Sequence, residues 1–422
     1  MKIIADLHVH SGFSRATSKD MNVAAMALWA KKKGINLLGT GDFTHPVHFK
    51  NLQKILKPAD NGFYTTPSEP SVFFMPTAEI SSIYSQGRKV RRIHNIIMAP
   101  SLEIAEKINN TLGKRGNLLS DGRPILGTPA KDLLKIVMDI SEDCLFVPAH
   151  AWTPWFSVFG SKSGFDSIEE CFGEYSKYIY AIETGLSSDP EMNWRLSALD
   201  KITLISNSDA HSPGKLGREA NVFECKMDYH EIIDAIRKKD KTRFLYTLEF
   251  FPEEGKYHYD GHRLCNILFS PAESKRHNNI CPVCKKPLTV GVMNRVDELA
   301  DRQEGFVHPN AIPSVHMVPL EEIISEALDI GVNTARVKRE YEKLVSLYPE
   351  LTILMDLPDD ELFKIAGNKT AEGIIKVRAG DINIVPGYDG VYGEITIFSK
   401  KAAASKKPGE KPAVALRQGI LF

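Results

Sequence analysis

Between Met1 and His211, seven short apolar runs each end on side chains able to ligate a metal ion, and this pattern restricts the fold more than any other feature. The runs cover residues 2–7, 36–41, 72–79, 92–98, 145–149, 178–183 and 201–207. Short apolar runs bounded by turn residues read as buried strands. Helical patterns lie between them over residues 22–33, 101–112, 129–141, 167–176 and 190–199. Such alternation predicts an α/β fold on a parallel sheet, open or closed into a barrel. In a β/α barrel the C-terminal ends of the strands converge on one rim, where active sites are built.

The strand ends carry the chemistry. His8 and His10 stand two residues apart, so along an extended chain both imidazoles face one side. Asp42 and His45 follow the second run, Glu79 ends the third, and His94, His150 and Glu183 belong to the next three. Ser208-Asp209-Ala210-His211 closes the series. A single histidine after a strand is most often structural. Seven strand ends in series offer more ligands than one ion can use. Imidazoles mixed with carboxylates suit Zn, Mn or Fe, and a cluster of two or three ions points to phosphoester hydrolysis.

With 422 residues, 43% of them hydrophobic, the chain can bury a sizeable core and is neither collagen-like nor a disulfide scaffold. Lys+Arg and Asp+Glu both total 53, so any polyanion must be held by local patches. No apolar run is long enough to cross a bilayer, and Asp6 interrupts any signal-peptide core. A cytoplasmic protein with no membrane partner is expected. Cys144, Cys171 and Cys225 stand alone, whereas Cys265, Cys281 and Cys284 cluster. Cys281-Pro-Val-Cys284 has the form of a zinc knuckle, which Cys265 with His262 or His258 would complete as a structural zinc site. The expected division is a hydrolase barrel over 1–252, a zinc-binding domain over 253–310, a mainly helical domain over 311–398 and a flexible basic tail over 399–422. Leu320, Ile323, Ile324, Ala327 and Leu328 carry the helical periodicity of the third segment.

The H-x-H opening, Asp42, Glu79, His94, His150 and the S-D-A-H tetrapeptide resemble the polymerase-and-histidinol-phosphatase (PHP) superfamily. The resemblance implies a PHP-type (β/α)7 barrel with a trinuclear centre, here two to three ions of Zn, Mn or Mg. It implies that His8, His10, Glu79 and Asp209 hold one metal, and that Glu79 bridges to a second held by His94 and His150. The superfamily's usual Asp-His pair is Asp42-Phe43 here, so a third ion would draw on His211 with Asp42, His45 or Glu183. Asp209, His211 and Glu79 are the expected catalytic residues.

Four further stretches narrow the resemblance. They are Gly39–Pro46, Pro148–Trp155, residues 288–302 and Gly387-Tyr-Asp-Gly-Val-Tyr-Gly393. With the knuckle, they resemble the endonuclease Q family of DNA-repair nucleases over roughly residues 1–395. That resemblance implies nicking of DNA immediately 5′ of a deaminated base (hypoxanthine, uracil, xanthine) or an abasic site, leaving a 3′-hydroxyl, and a nucleoid-associated location. The loop after His150 should overhang the metals, offering Trp152, Trp155 and Phe156 to a flipped base or an opened duplex. Arg88, Arg91 and Arg92 lead into His94 as candidate phosphate contacts, with Lys31–Lys33 and Arg237–Arg243 as further basic clusters. Gln418-Gly-Ile-Leu-Phe422 resembles the start of a sliding-clamp peptide. A small-molecule phosphatase of the histidinol-phosphate type would leave the knuckle and the helical segment without a role. A non-catalytic DNA-binding module would be expected to have lost several ligands.

Overall fold

The computed structural model describes residues 1–398, so the basic tail and the clamp-like Gln418–Phe422 lie outside the described residues. The described chain forms two compact units. The first comprises residues 1–31, 35–249 and 292–314. The second comprises residues 32–34, 250–291 and the chain from 315 onward.

The first unit carries the strands β1 (Lys2–Asp6), β2 (Leu37–Gly39), β3 (Glu69–Met75), β4 (Thr77–Gln86), β5 (Lys89–Met98), β6 (Leu145–Pro148), β7 (Ala181–Glu183), β8 (Thr203–Ile205), β9 (Ala220–Glu224) and β10 (Phe244–Glu249). They form three ladders in place of one parallel sheet. One runs β10-β9-β1-β2-β3, another contains β4-β5-β6, and β7 pairs β8. Parallel registers join β1 to β2 and β2 to β3 (Ala5 opposite Leu37, Leu38 opposite Phe74), but β9 lies antiparallel to both β1 and β10. Single backbone bonds link neighbouring ladders, His10 N–H to the Ala210 carbonyl and Ala151 N–H to the Glu183 carbonyl. The hydrogen-bonded ladder of this α/β unit is thus interrupted at these joints among the described residues.

The largest departure from parallel order is the hairpin of β4 and β5. It runs in unbroken register from Thr77 opposite Met98 to Gln86 opposite Lys89. Gly87 and Arg88, both at φ 61°, make its two-residue turn, the left-handed geometry that a twisted hairpin requires. Pro76, which has no N–H for a ladder, separates β3 from β4. The hairpin sets His94 opposite Ser81, on the same face as Glu79 and one pleat away.

Leu7, Leu37, Met75, Ile96, Val147, Ala149, Ala181, Ile205 and Phe223 enter one core fed by all three ladders. Each fully buried Val, Leu, Ile, Met or Phe side chain contributes roughly 1.5–3 kcal/mol. Helices cover it with apolar faces and satisfied ends. In Leu102–Leu112, Leu102, Ala105, Ile108 and Leu112 are buried and the Ser101 hydroxyl caps the Ile104 N–H. In Tyr229–Arg237 the Asp228 carboxylate accepts from the His230 and Glu231 N–H groups. The helix Val292–Leu299, placed by composition with the zinc segment, belongs to this first unit. Its Arg295 donates to the Phe159 and Phe165 carbonyls and to Asp166, while Arg302 beyond it forms a two-pronged pair with Asp200 at 2.6 Å.

The second unit holds the hairpin Asp260–His262/Ile267–Phe269 and five helices between Leu320 and Arg378. Leu320–Leu328 buries Leu320, Ile323, Ile324 and Ala327, as its periodicity predicts. Buried Glu350 accepts from the Tyr341 hydroxyl at 2.7 Å. Asp389 of the Gly387–Gly393 stretch accepts from the Arg263 N–H and the Thr289 hydroxyl at 2.7 and 2.6 Å, bracing the knuckle segment.

Candidate metal centre

β1 delivers His8 and His10 to one side of the chain. Asp6 anchors the facing loop, accepting from the Ser208 and Gly217 N–H groups at 3.0 and 2.9 Å. Burial pushes the Asp6 carboxyl up to about 6, against the pull of those bonds. Asp42, His150 and Asp209 stand at φ 47°, 30° and 47°. Left-handed backbone at non-glycine residues costs energy, and here it recurs at three strand ends that meet in one cluster.

Two groups of ligand atoms result, His8/His10/Asp209 and Glu79/His94/His150, each lying within 4.8 Å. Glu79 touches both. Its Oε1 is 2.6 Å from His94 Nδ1 and 3.1 Å from His150 Nε2, and its Oε2 is 3.2 Å from His10 Nε2 and 3.6 Å from His8 Nε2. His10 Nε2 lies 3.1 Å from Asp209 Oδ1. These residues fit a metal cluster on a specific ground. His8 Nε2, His10 Nε2 and Asp209 Oδ1 are buried, converge on one point and have no hydrogen-bond partner. Orphaned polar atoms of this kind are costly unless something unseen satisfies them.

Asp42 and Glu183 sit behind the histidines. Asp42 Oδ1 is 3.0 Å from His10 Nδ1, and its Oδ2 accepts from Ser11 N–H and the Ser14 hydroxyl. Glu183 lies 3.0 Å from His8 Nδ1 and accepts from His150 N–H and Asn207 Nδ2 at 2.9 Å. Each carboxylate favours a proton on Nδ1, so that Nε2 would supply the lone pair to a bound metal, the usual outer support of a ligating histidine. Burial alone would lower the His8 and His10 pKa values, but the facing carboxylates hold both well above the ordinary histidine range. Burial would raise Asp42, yet His10 and the hydroxyl donors bring it to about 2. His94 is driven down to about 4 by burial, with Glu79 opposing.

The remaining sequence candidates divide. His45 caps the helix Pro46–Ile55 through His48 N–H and stacks on Phe13 at 4.4 Å, outside both ligand groups. His211 borders the cluster, with its ring 4.5 Å from that of His10 and its Nδ1 2.9 Å from the Asp209 carbonyl. Two expected DNA contacts require correction. Trp152 is buried and donates its indole N–H to Asn193 Oδ1, so it cannot stack on a base. Arg91 is buried against Phe165, bound to the Gly164 carbonyl and to Glu170. The strand register that turns Arg91 inward turns Arg92 outward. Trp155 is 45% exposed, and Arg92 lies over the Phe156 ring, which packs at 4.6 Å on His94. Lys89, Arg92, Trp155, Lys162 and Arg295 line a cavity of about 510 Å3 there, and Arg88 is exposed at the hairpin tip. The other basic clusters are spent on ion pairs, Lys31 with Glu69, and Arg243 with Glu231, Asp234 and Asp240.

Arg123, Gly122 and Asn207 were not legible as site residues. Arg123 Nη1 donates to Glu79 Oε2 at 3.0 Å. Asn207 receives Leu7 N–H and donates to Glu183. None sits in a ligand-type motif, although Asn207 directly precedes the S-D-A-H tetrapeptide. In the second unit His262, Cys265, Cys281 and Cys284 bring ligand atoms within 4.8 Å, a set of four donors that does not include His258. Burial would raise the Cys281 thiol, but the Val283 and Cys284 N–H groups aimed at its sulfur bring it down.

Comparison with known proteins places this geometry. Residues 319–381 match the family described as the MJ0043 C-terminal domain. Protein MJ0043 of Methanocaldococcus jannaschii is 34% identical over 278 residues, and that match spans 63% of this chain and 34% of the archaeal protein's length. Protein YqxK of Bacillus subtilis is 30% identical over 410 residues, covering 93% of this chain and 99% of that one. The crystal structure of the lesion-specific endonuclease Q from Pyrococcus furiosus superposes with a TM-score of 0.84 at 32% identity, covering 96% of this chain and 98% of that one. A second structure, endonuclease Q with a 27-mer duplex carrying an abasic lesion at the active site, gives 0.82 at 32% identity, covering 94% and 97%. On this near-full-length match at 32% identity, the chain belongs to the endonuclease Q family.

Proposed function

We propose that this chain is a metal-dependent DNA-repair endonuclease that hydrolyses the phosphodiester immediately 5′ of a deaminated base or an abasic site. The observation that carries the reading is the near-full-length match to a lesion-specific endonuclease, in a chain that keeps a convergent cluster with orphaned ligand atoms. Hydrolysis would join a water oxygen to phosphorus and break the P–O3′ bond, with one proton going to the 3′-oxygen and the other to solvent. Zn, Mn or Mg ions bound there would polarise the phosphoryl group and ease deprotonation of water. His8, His10, Glu79 and Asp209 would hold one ion, and Glu79, His94 and His150 another. Asp42 and Glu183 would orient the imidazoles, and His211 stands where it could exchange a proton. Zinc at His262, Cys265, Cys281 and Cys284 would be structural, supplying folding free energy to a segment with little core.

Arg92, Lys89 and exposed Trp155 lining the 510 Å3 cavity, with Phe156 under Arg92 and Arg88 at the hairpin tip, would receive the strand beside the lesion. A nucleotide costs least to extrude where pairing is already broken, which suits mispaired deaminated bases and abasic sites. DNA is thus the proposed partner, in a nucleoid-associated setting, with Gln418–Phe422 as a peptide for a sliding clamp. No helix of the described residues is long and apolar enough to cross a membrane.

The test is nicking of 5′-labelled duplexes containing hypoxanthine, uracil, an abasic site or no lesion, with Mn or Mg, beside Asp209→Asn. Cleavage one bond 5′ of the lesion, absent from the intact duplex and from the variant, supports the reading. Release of phosphate from small monoesters with no nicking would overturn it in favour of a phosphatase.

A further inference from the structure

We propose that Arg123 grips the scissile phosphate, its guanidinium held at the edge of the cluster by one bond to Glu79 while its other donors face the substrate. The inference rests on the phosphodiesterase reading above and adds a residue outside the ligand set. Three observations support it.

The first is placement. The loop before Arg123 is pinned on both sides, with Gly122 N–H on the Phe13 carbonyl at 3.0 Å and Ser81 N–H on the Pro124 carbonyl at 3.0 Å. Asp121 Oδ1 accepts from the Arg15 and Arg123 N–H groups at 3.2 and 3.1 Å. Gly122 lies so close to the cluster that a Cβ there would meet Asp42 Oδ2 and Ser14 Oγ at 2.3 Å. The backbone therefore passes directly against the support of His10 and presents Arg123 to the same site. Groups fixed in advance cost no reorganisation when charge develops, which is what makes such donors effective.

The second is donor capacity. A guanidinium has five N–H donors in a rigid fork matched to phosphate oxygens. Arg123 spends one on Glu79 Oε2, and among the described residues its guanidinium makes no other hydrogen bond to protein. Its side chain is 27% exposed whereas that of Glu79 is fully buried, so the group spans from the bridging carboxylate to the open side of the site.

The third is charge. Glu79 alone could explain an arginine here if the site held nothing else. A site built to gather two or three divalent ions repels a further cation at this distance unless an anion is shared among them. Glu79 is one such anion; a phosphodiester would add a second within reach of the ions and the guanidinium, and its transition state gathers more negative charge.

The test uses the full chain and the variants Arg123→Gln and Arg123→Lys, compared with wild type in four measurements. These are metal ions bound per chain, the Kd for inorganic phosphate by calorimetry, kcat and KM on the abasic duplex, and hydrolysis of bis(p-nitrophenyl) phosphate. The expected result for Arg123→Gln is unchanged metal content, phosphate binding weaker by about 10-fold or more, and kcat lower by about 10²–10³-fold on either phosphodiester. Arg123→Lys should recover part of kcat, since it restores charge without the fork. Variants with wild-type phosphate affinity and kcat overturn the proposal. So does activity that falls only in step with lost metal, because Arg123 would then merely position Glu79. If wild type cleaves the small diester but nicks no lesion, the endonuclease reading fails, and Arg123 is still decided by the small diester and by phosphate binding.

Discussion

Replacing Glu183 by Gln probes the least visible part of the site. The carboxylate receives three donors, with His8 Nδ1 at 3.0 Å from each of its oxygens and His150 N–H and Asn207 Nδ2 at 2.9 Å. Glutamine keeps the shape but turns one oxygen into an NH2 group, which must then face a donor. One charge-assisted bond is lost, about 1.5–3 kcal/mol, and the pull that keeps the proton on His8 Nδ1 disappears. Loss of such an outer partner typically weakens metal binding by about 10–100-fold, equal to roughly 1.4–2.7 kcal/mol. Calorimetric titration of Mn²⁺ into chelator-stripped wild type and Glu183→Gln reads this directly, and denaturant unfolding measures the stability loss separately. A Kd for the metal unchanged from wild type would refute the orienting role. A loss far beyond about 100-fold, with one fewer ion bound, would make Glu183 a ligand and refute it from the other side.

Gly122→Ala should lower both activity and thermal stability, since the new methyl meets Asp42 and Ser14 at 2.3 Å, and overpacking of this kind costs about 1–3 kcal/mol. Full activity and an unchanged Tm would show that the loop gives way. Trp155→Ala should weaken duplex binding by roughly 1–3 kcal/mol and leave unfolding unchanged, whereas Trp152→Ala should cost about 3–5 kcal/mol of stability; fluorescence anisotropy and urea melts separate the two. Cys281→Ser should release zinc from the second unit and increase its susceptibility to protease, and retention of a full equivalent of zinc would contradict the assigned ligand set. The Asp6 carboxyl is raised to about 6 when folded, so its stabilising contribution is complete below the unfolded value near 4 and is lost as pH rises through 6. Wild type should therefore lose stability relative to Asp6→Asn between about pH 4 and 6 and hold a constant difference above that. A difference that does not vary with pH in that window would refute the shift.

Ligand chemistry was legible in the chain because it lies in local patterns. H-x-H on an extended strand puts two rings on one side whatever surrounds them, and C-x-x-C has the reach of a knuckle. Helical periodicity likewise located Leu320–Leu328. What the linear order does not contain is the partner across a gap. Arg91 and Arg92 are neighbours in sequence, yet the register of β5 buries one under Phe165 and leaves the other beside Trp155, because successive side chains on a strand face opposite ways. The antiparallel hairpin joining Glu79 to His94 depended on a turn, Gly87–Arg88, rather than on strand composition. Asp42 and Glu183 read as ligands from their types alone, and only their distances to Nδ1 atoms bring in the support role proposed for them. Arg123 and Gly122 carry no signal in the chain at all. Their placement arises where a loop passes against Asp42, and such a contact exists only after residues far apart in sequence have packed together.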